Sequence, residues 1–482
     1  MTELRDPAAP APAEPSATQR LERCLAAIGA REPKVRAFRH MDIDAAKDRA
    51  AQLDAAGEGG ALAGRVIGLA DRIDTADMPT GYGSAIYASY RPFATAPVAM
   101  LALEAGANLL GKTDVAELGG HAPLATRHPH EPSHGCGGAA AAAVAAGMLD
   151  AGIDVQTGGA VIRSAALCGV VGFKPSFDLV PTVGVKTFAW TLDTVGVLAS
   201  SVDEAARLAT VLAGRALRPR RSGRPPRLGL FAPAGADDAA YAALARVRAA
   251  AEAAGAAIRD VTPPPGFAQL EAAWHVIHDW EGARSLRFEH DRHGTQMSDA
   301  LRRTLDFAAA LPEGAYEEAL AVAAMGRAQL PMMMGGCDAL LTLPARGRAS
   351  LEGVAEDSRF NQAWTLLGTP AVALPVPGAL RGEGLPLGVQ VVAPRLADHG
   401  ALSVAAWLEH VMRDAASPEQ ADDQSDVRAA DAAPANDMSW EEAMEAALGA
   451  ALGDEQAFET DDAGEADVEA AADPAPGEGR PA

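Results

Sequence analysis

A chain of 482 residues, 49% hydrophobic but only 5% aromatic, can bury a large core built mostly from small side chains. Its net charge of −23, with no basic stripe, argues against a nucleic-acid binder, because phosphate would repel it. No run of 18 apolar residues is free of charges and turn formers, so no membrane span is expected.

The first 18 residues, MTELRDPAAPAPAEPSAT, are polar and Pro/Ala-rich, which predicts a disordered segment over 1–18 without the apolar centre of a signal peptide. Helices are expected over 19–30 and 43–56, the second stopped by Gly57. Val66–Leu69 reads as a strand, Ala96–Ala105 as a helix closed by Gly106, and Leu109–Leu110 as a short strand. Ala139–Met148 predicts a buried alanine helix, and Ala165–Leu167 a helical turn of small residues. Arg227–Leu230, Asp237–Ala253 and Ile258–Val261 make a strand–helix–strand unit, followed by β-rich runs at 339–343, 371–374 and 388–392. The basic stretch RPRRSGRPPR (218–227) reads as a solvated linker, given its Pro and Gly. This alternation predicts an α/β fold, a layered mixed β-sheet with helices on both faces, over 19–417.

Beyond it the composition changes. Residues 418–482 hold 19 Asp and Glu against Arg428 and Arg480, which is −17 of the total −23 and leaves −6 to the first 417 residues. An acidic linker (418–437) and a disordered acidic tail (454–482) are therefore expected. Between them, over 438–453, Ser439 and Glu442 form a capping box, and Trp440, Met444, Leu448 and Leu452 recur every four residues on one face of an amphipathic helix. That helix on its acidic tether is read as a docking element for a protein partner, the alternative being a segment that folds back on its own core.

Four stretches carry a resemblance: GLADRIDTADMPTGYGS (68–84), LEAGANLLGKTDVAELGG (103–120), DVQTGGAVIRSAALCGVVGFKPSFDLVPTVGV (154–185), and FNQAWTLLGTPAVALPVP (360–377) with GLPLGVQVVAPR (384–395). Together they resemble the amidase signature family, from about Leu21 to Val411. The resemblance implies a layered α/β fold and amide hydrolysis or transfer by a serine, a second serine and a lysine. In the pattern G-T-(D/Q)-T-G-G-S-(I/V)-R-x-P-A, this chain supplies Gln156, Thr157, Gly158, Gly159, Val161 and Ala165, but places Ala160 at the nucleophile. The lysine falls on Ala70. The second serine falls on Cys136 when HPHEPSHGCGGAAAAAVAAG (128–147) is anchored on its alanines, with Gly137 or Ala139 as other registers. The loop arginine falls on Ile162, with Arg163 one place late.

A serine hydroxyl needs a base within hydrogen-bond reach, so losing both predicts no acyl-enzyme by that route. The expectation is thus a pseudo-amidase with no catalytic residue intact at 70, 136 and 160, acting as a cytoplasmic binding, scaffold or regulatory protein that needs no cofactor. Thr157, Gly158, Gly159 and Arg163 are the expected binding residues, the glycines presenting N–H groups to a small amide or carboxylate ligand. The alternative for those glycines is a tight packed turn. The alternative for the function is an amide hydrolase of altered or weak chemistry through Cys136, since a thiolate is the stronger nucleophile. His128, His130, His134 and Cys136 lie within nine residues, but the pattern itself has two of these histidines, so no metal is expected. The four cysteines (Cys24, Cys136, Cys168, Cys337) form no C-x-x-C pair, and Cys168 and Cys337 are expected as buried thiols in a reducing compartment.

Overall fold

The computed structural model describes residues 14–57, 60–120, 124–220, 224–354, 357–378 and 385–415. Eleven strands among them form one mixed sheet: β1 Phe38–Met41, β2 Val66–Ala70, β3 Asn108–Thr113, β4 Ala151–Gln156, β5 Val171–Lys174, β6 Thr194–Ala199, β7 Arg227–Leu230, β8 Ala257–Asp260, β9 Ala339–Thr342, β10 Ala371–Pro375 and β11 Gly388–Val392. Their order across the sheet is β1-β3-β2-β4-β6-β5-β10-β11-β9-β7-β8. β2 runs parallel to both β3 and β4, and β7 runs parallel to β8 and β9, while the centre from β4 to β9 is antiparallel. Every residue of β2, β3, β4, β5, β6 and β11 is buried, so helices and loops cover both faces of the sheet there. The layered mixed α/β architecture is as expected.

Helix boundaries follow local chemistry. Ala17–Val35 begins at a reciprocal capping box, the Ser16 hydroxyl accepting from the Gln19 N–H while the Gln19 side chain accepts from the Ser16 N–H. Ile43–Ala56 begins at Asp42, whose side chain accepts from the Ala45 N–H, and stops at Gly57 in the left-handed region. The strand expected at Leu109–Leu110 extends over Asn108–Thr113, because its polar ends are buried by the neighbouring strands. The turn expected at 165–167 is a helix, Ile162–Cys168. Cys168 is fully buried, whereas Cys337 is only half-buried, on the turn between the helix Glu313–Met334 and β9. Part of the expected linker is pinned, since Arg224 and Arg227 both pair with Asp338. The amphipathic segment with Trp440, Met444, Leu448 and Leu452 lies outside the described residues.

Two short helices set the geometry of everything at the centre of the sheet. In Ala139–Ala145 the first five alanines are fully buried. A methyl placed on Gly152 of β4 would stand 3.0 Å from the Ala140 Cβ, so this helix rests on the strand with no room for larger side chains. The second helix lies equally close: a methyl on Gly172 of β5 would meet Ala165 Cβ at 2.6 Å and the Val161 carbonyl oxygen at 2.7 Å.

This packing makes a prediction. Gly172→Ala should lower stability by about 1–3 kcal/mol through overpacking against backbone. Gly314→Ala, in a helical position where a methyl meets nothing within 4 Å, should raise it by about 0.5–1 kcal/mol. Urea unfolding midpoints of the two variants measure both effects.

Candidate active site

The loop between β4 and the helix Ile162–Cys168 is shaped by Gln156, the last residue of the strand. Its side-chain oxygen accepts the N–H groups of Val161 at 3.1 Å and Ile162 at 3.0 Å, capping the helix start, while its amide donates to Thr365 Oγ1 at 3.0 Å. Backbone then runs hard against neighbours. A methyl on Gly158 would lie 3.2 Å from Trp274 Cζ2, and one on Gly159 would lie 3.0 Å from Asn361 Nδ2. The Trp274 indole N–H donates to the Thr157 carbonyl at 3.1 Å and the Thr365 hydroxyl to the Gly158 carbonyl at 3.0 Å. With the carbonyls held outward in this way, the N–H groups of Gly158, Gly159 and Ala160 meet no acceptor among the described residues.

These residues line a cavity of about 130 Å³, whose wall also includes Cys136, Asp154 and Arg163. The cysteine and alanine that the sequence register assigned to the two serine positions thus face one space. Cys136 is 1% exposed and its thiol lies 3.5 Å from the Thr126 carbonyl oxygen. Arg163 Nη2 donates to the Gly137 carbonyl at 3.4 Å, so the arginine braces the cavity mouth as well as facing it. Ala70 is fully buried at the end of β2 and is not part of the cavity wall. Nor does a nearby lysine replace it: Lys112, level with Leu69 on β3, turns its amine to the Ile73 carbonyl and the Thr80 hydroxyl at 3.0 Å.

Thr157 has its hydroxyl committed elsewhere. It donates to Asp193 Oδ1 and accepts from Arg72 Nη1 at 3.3 Å, while Arg72 Nη2 pairs with Asp193 Oδ2 at 2.9 Å. Both charged side chains are 5% exposed or less, and the Phe188 N–H also donates to Asp193 at 2.8 Å. This clamp ties the loop after β2, the loop after β4 and the segment before β6 together. His128 is spent in the same manner, with Nε2 on the Leu167 carbonyl at 2.8 Å and Nδ1 accepting the N–H groups of His130 and Glu131 at 3.2 Å. Burial pushes its pKa down to about 4, and both ring nitrogens are occupied, so it has no lone pair for a metal.

Asp154 is a site residue that the motif register did not single out. It stands on β4 where the loop pattern has a glycine, is 6% exposed, and reaches the cavity. One carboxylate oxygen accepts the Val155 N–H at 2.7 Å. Loss of hydration on burial raises its pKa to about 6, against smaller lowering effects of that hydrogen bond and of the Arg72 charge.

The family profile for amidases matches residues 19–402, four fifths of the chain. The chain belongs to the amidase family. Over 82% of its length it is 31% identical to a glutamyl-tRNA(Gln) amidotransferase subunit from Synechococcus sp. (strain WH7803), covering 94% of that protein. A protein of the same name from Nitratidesulfovibrio vulgaris (strain DP4) is 28% identical over 82% of this chain and 93% of its own. Among solved structures, an amidase superposes with a TM-score of 0.76 at 27% identity, covering 83% of this chain and 96% of that one. These matches overturn the pseudo-amidase expectation. Relatives spanning nearly their whole length are named as amidotransferase subunits, and this family of hydrolases acts on carbon–nitrogen bonds. The substitutions at 70, 136 and 160 remove the serine–lysine route and leave a cavity in place around 136 and 160. No helix among the described residues is long and apolar enough to cross a membrane.

The Arg72–Asp193 clamp yields a second prediction. Asp193→Ala leaves a buried guanidinium unpaired and should cost about 3–5 kcal/mol of stability. Asp193→Asn keeps one oxygen for the Phe188 N–H and offers its NH2 to the Thr157 hydroxyl in place of the second acceptor, so it should lose less, a ranking that thermal denaturation of the two variants checks.

Proposed function

We propose that this amidase-family chain hydrolyses a carbon–nitrogen amide bond by altered chemistry, with the Cys136 thiol in the nucleophile's place. The observation that carries this reading is that Cys136 and three N–H groups without acceptors, those of Gly158, Gly159 and Ala160, line one cavity. Backbone donors fixed before reaction stabilise the negative oxygen of a tetrahedral intermediate without reorganising. Cysteine suits such a site because its thiolate is intrinsically nucleophilic, whereas Ala160 offers only a methyl group.

In this mechanism the Cys136 sulfur bonds to the amide carbon, and the carbonyl oxygen takes the electron pair and rests on the loop N–H groups. The pair returns, the C–N bond breaks, and the nitrogen leaves as amine or ammonia with the proton that the thiol gave up. Water then adds to the thioester, the C–S bond breaks, and carboxylic acid and free thiol result. A cavity of about 130 Å³ favours small carboxamides, and Arg163 on its wall favours those that carry a carboxylate. The relatives are named as subunits of an amidotransferase, which supports a protein partner for this chain as well.

Turnover of small primary amides by the purified full chain, followed by ammonia release, tests the reading. Cys136→Ala should reduce kcat by at least about 100-fold, because a nucleophile acts as a unit with its oxyanion donors. Turnover undiminished in that variant would show that the thiol is not the nucleophile.

A further inference from the structure

An amide hydrolase must move protons, and the position where the family resemblance places a lysine for that work is the methyl group of Ala70. β2 and β4 are parallel neighbours with Leu69 level with Ile153. One further step along each strand sets Ala70 beside Asp154, and residues at one level of adjacent strands point to the same face. At the level of the missing lysine, on the next strand, this chain therefore carries an ionisable group where the loop pattern has a glycine. Asp154 is more than nine-tenths buried and lines the cavity that holds Cys136. Among the described residues, the one donor it meets is the Val155 N–H, on a single oxygen, and Arg72, which is close enough to act on it, is committed to Asp193 and Thr157.

We propose that Asp154 is the proton-carrying catalytic residue of this site, serving the Cys136 thiol and the departing amine from the strand beside Ala70. The assignment rests on the amide-hydrolase reading above. The ionised carboxylate takes the proton from Cys136 Sγ, directly or through a water in the cavity, as the sulfur bonds to the amide carbon. It returns that proton to the nitrogen as the C–N bond breaks. In the second half it takes a proton from the water that adds to the thioester and gives it back to the sulfur as the C–S bond breaks. Asp154 ends each cycle as it began, and the net reaction is amide plus water to acid plus amine.

The other titratable or charged groups on the cavity wall are Arg72 from the segment after β2, Asp114 from the end of β3, Cys136 and Arg163. Arg72 is neutralised by Asp193, and Asp114 lies beside Arg39, 3.5 Å away. A carboxylic acid raised to about 6 by burial is close to the working pH, where a group can both accept and return a proton.

The experiment measures kcat/KM against pH for the full chain, Asp154→Asn, Asp154→Glu and Cys136→Ala, with the urea midpoint of each at the same pH values. The unaltered protein should show an acid limb near pH 6. Asp154→Asn should lose the limb and at least about 100-fold in kcat, and Asp154→Glu should recover part of both. The stability readout has a definite sign: a carboxyl group whose folded pKa is raised stabilises when protonated, and that contribution disappears as pH rises through the folded pKa. The urea midpoint of the unaltered protein should therefore fall relative to Asp154→Asn between about pH 4 and 6, from the ordinary carboxyl value up to the raised one, and run level above that. Turnover that is lost in Cys136→Ala but unchanged in Asp154→Asn overturns the role of Asp154 alone. Parallel stability profiles for the unaltered protein and Asp154→Asn also overturn it. No turnover by the unaltered protein at any pH overturns this assignment together with the amide-hydrolase reading.

Discussion

Two short helices meet the sheet at the centre of this protein through glycine and alanine, and the site depends on that short distance. A helix carrying leucines stands about 10 Å from a sheet; one presenting methyl groups to glycines comes closer. Ala140 over Gly152 and Ala165 over Gly172 bring the two short helices down onto β4 and β5. Gly388 on β11 continues the contact, since a methyl there would lie 2.8 Å from Ala166 Cβ. Because both helices are seated by backbone proximity, the loops that lead into them, ending at Gly138 and at Val161, come together over one point. A methyl on Gly138 would lie 2.8 Å from Ser164 Cβ, on the second helix, and 3.2 Å from the Ala160 carbonyl oxygen, in the loop before it, so the first loop ends close against the second. Cys136 and Ala160 share a cavity as a consequence of packing far beneath them.

Electrostatics divides the residues around that cavity into those already satisfied and those left with capacity. Arg72 gives its guanidinium to Asp193, Thr157 and the Lys186 carbonyl, and such a buried pair is costly to break and contributes little field of its own. His128 is neutral and occupied at both nitrogens. Lys112 and Lys174 are buried lysines whose amines point to backbone carbonyls, and burial has lowered their pKa values to about 8 and about 7. They hold turns together. Facing the cavity with hydrogen-bonding capacity are, among others, the row of N–H groups at 158–160, the Cys136 thiol and the second oxygen of Asp154.

Much of the fold was legible because its signals are local. Gly57 after Ala56 marks a helix end by chemistry that acts over three or four residues, whereas the capping box of Ser16 and Gln19 starts a helix at Ala17, inside the segment expected to be disordered. The strand pattern at 227–230, 339–343, 371–374 and 388–392 needed only runs of apolar residues between turn formers. The site was legible in part: the motif register brought Cys136 and Ala160 to the right cavity although 24 residues separate them. Other parts depend on long-range partners that no spacing rule announces. Arg72 meets Asp193 across 121 residues, and this pairing, which engages the Thr157 hydroxyl, could not be read from the loop itself. Asp154 did carry a signal, an acid at a glycine position, but its weight depends on burial beside the cavity, which only the folded chain reveals.

The exchange of a lysine position for an aspartate one strand away has a consequence for the chemistry the cavity can support. A lysine brings positive charge when protonated, which favours an anionic intermediate; an aspartate brings none when protonated and a negative charge when ionised. With Arg72 paired to Asp193, the proposed mechanism rests the oxyanion of an amide adduct on the backbone N–H groups of the 158–160 loop, with Arg163 also on the wall. Those donors are fixed by the same glycine contacts that seat the loop, so they cost no reorganisation when charge develops. A thiol and a protonatable carboxyl group can place less charge in a largely buried cavity than a cationic amine does, and the raised pKa of Asp154 expresses that preference directly. Under the proposed mechanism the changes at 70, 136, 154 and 160 are coherent as a set: the cation is removed, a softer nucleophile is offered, and proton transfer passes to a group whose pKa burial has raised to about 6.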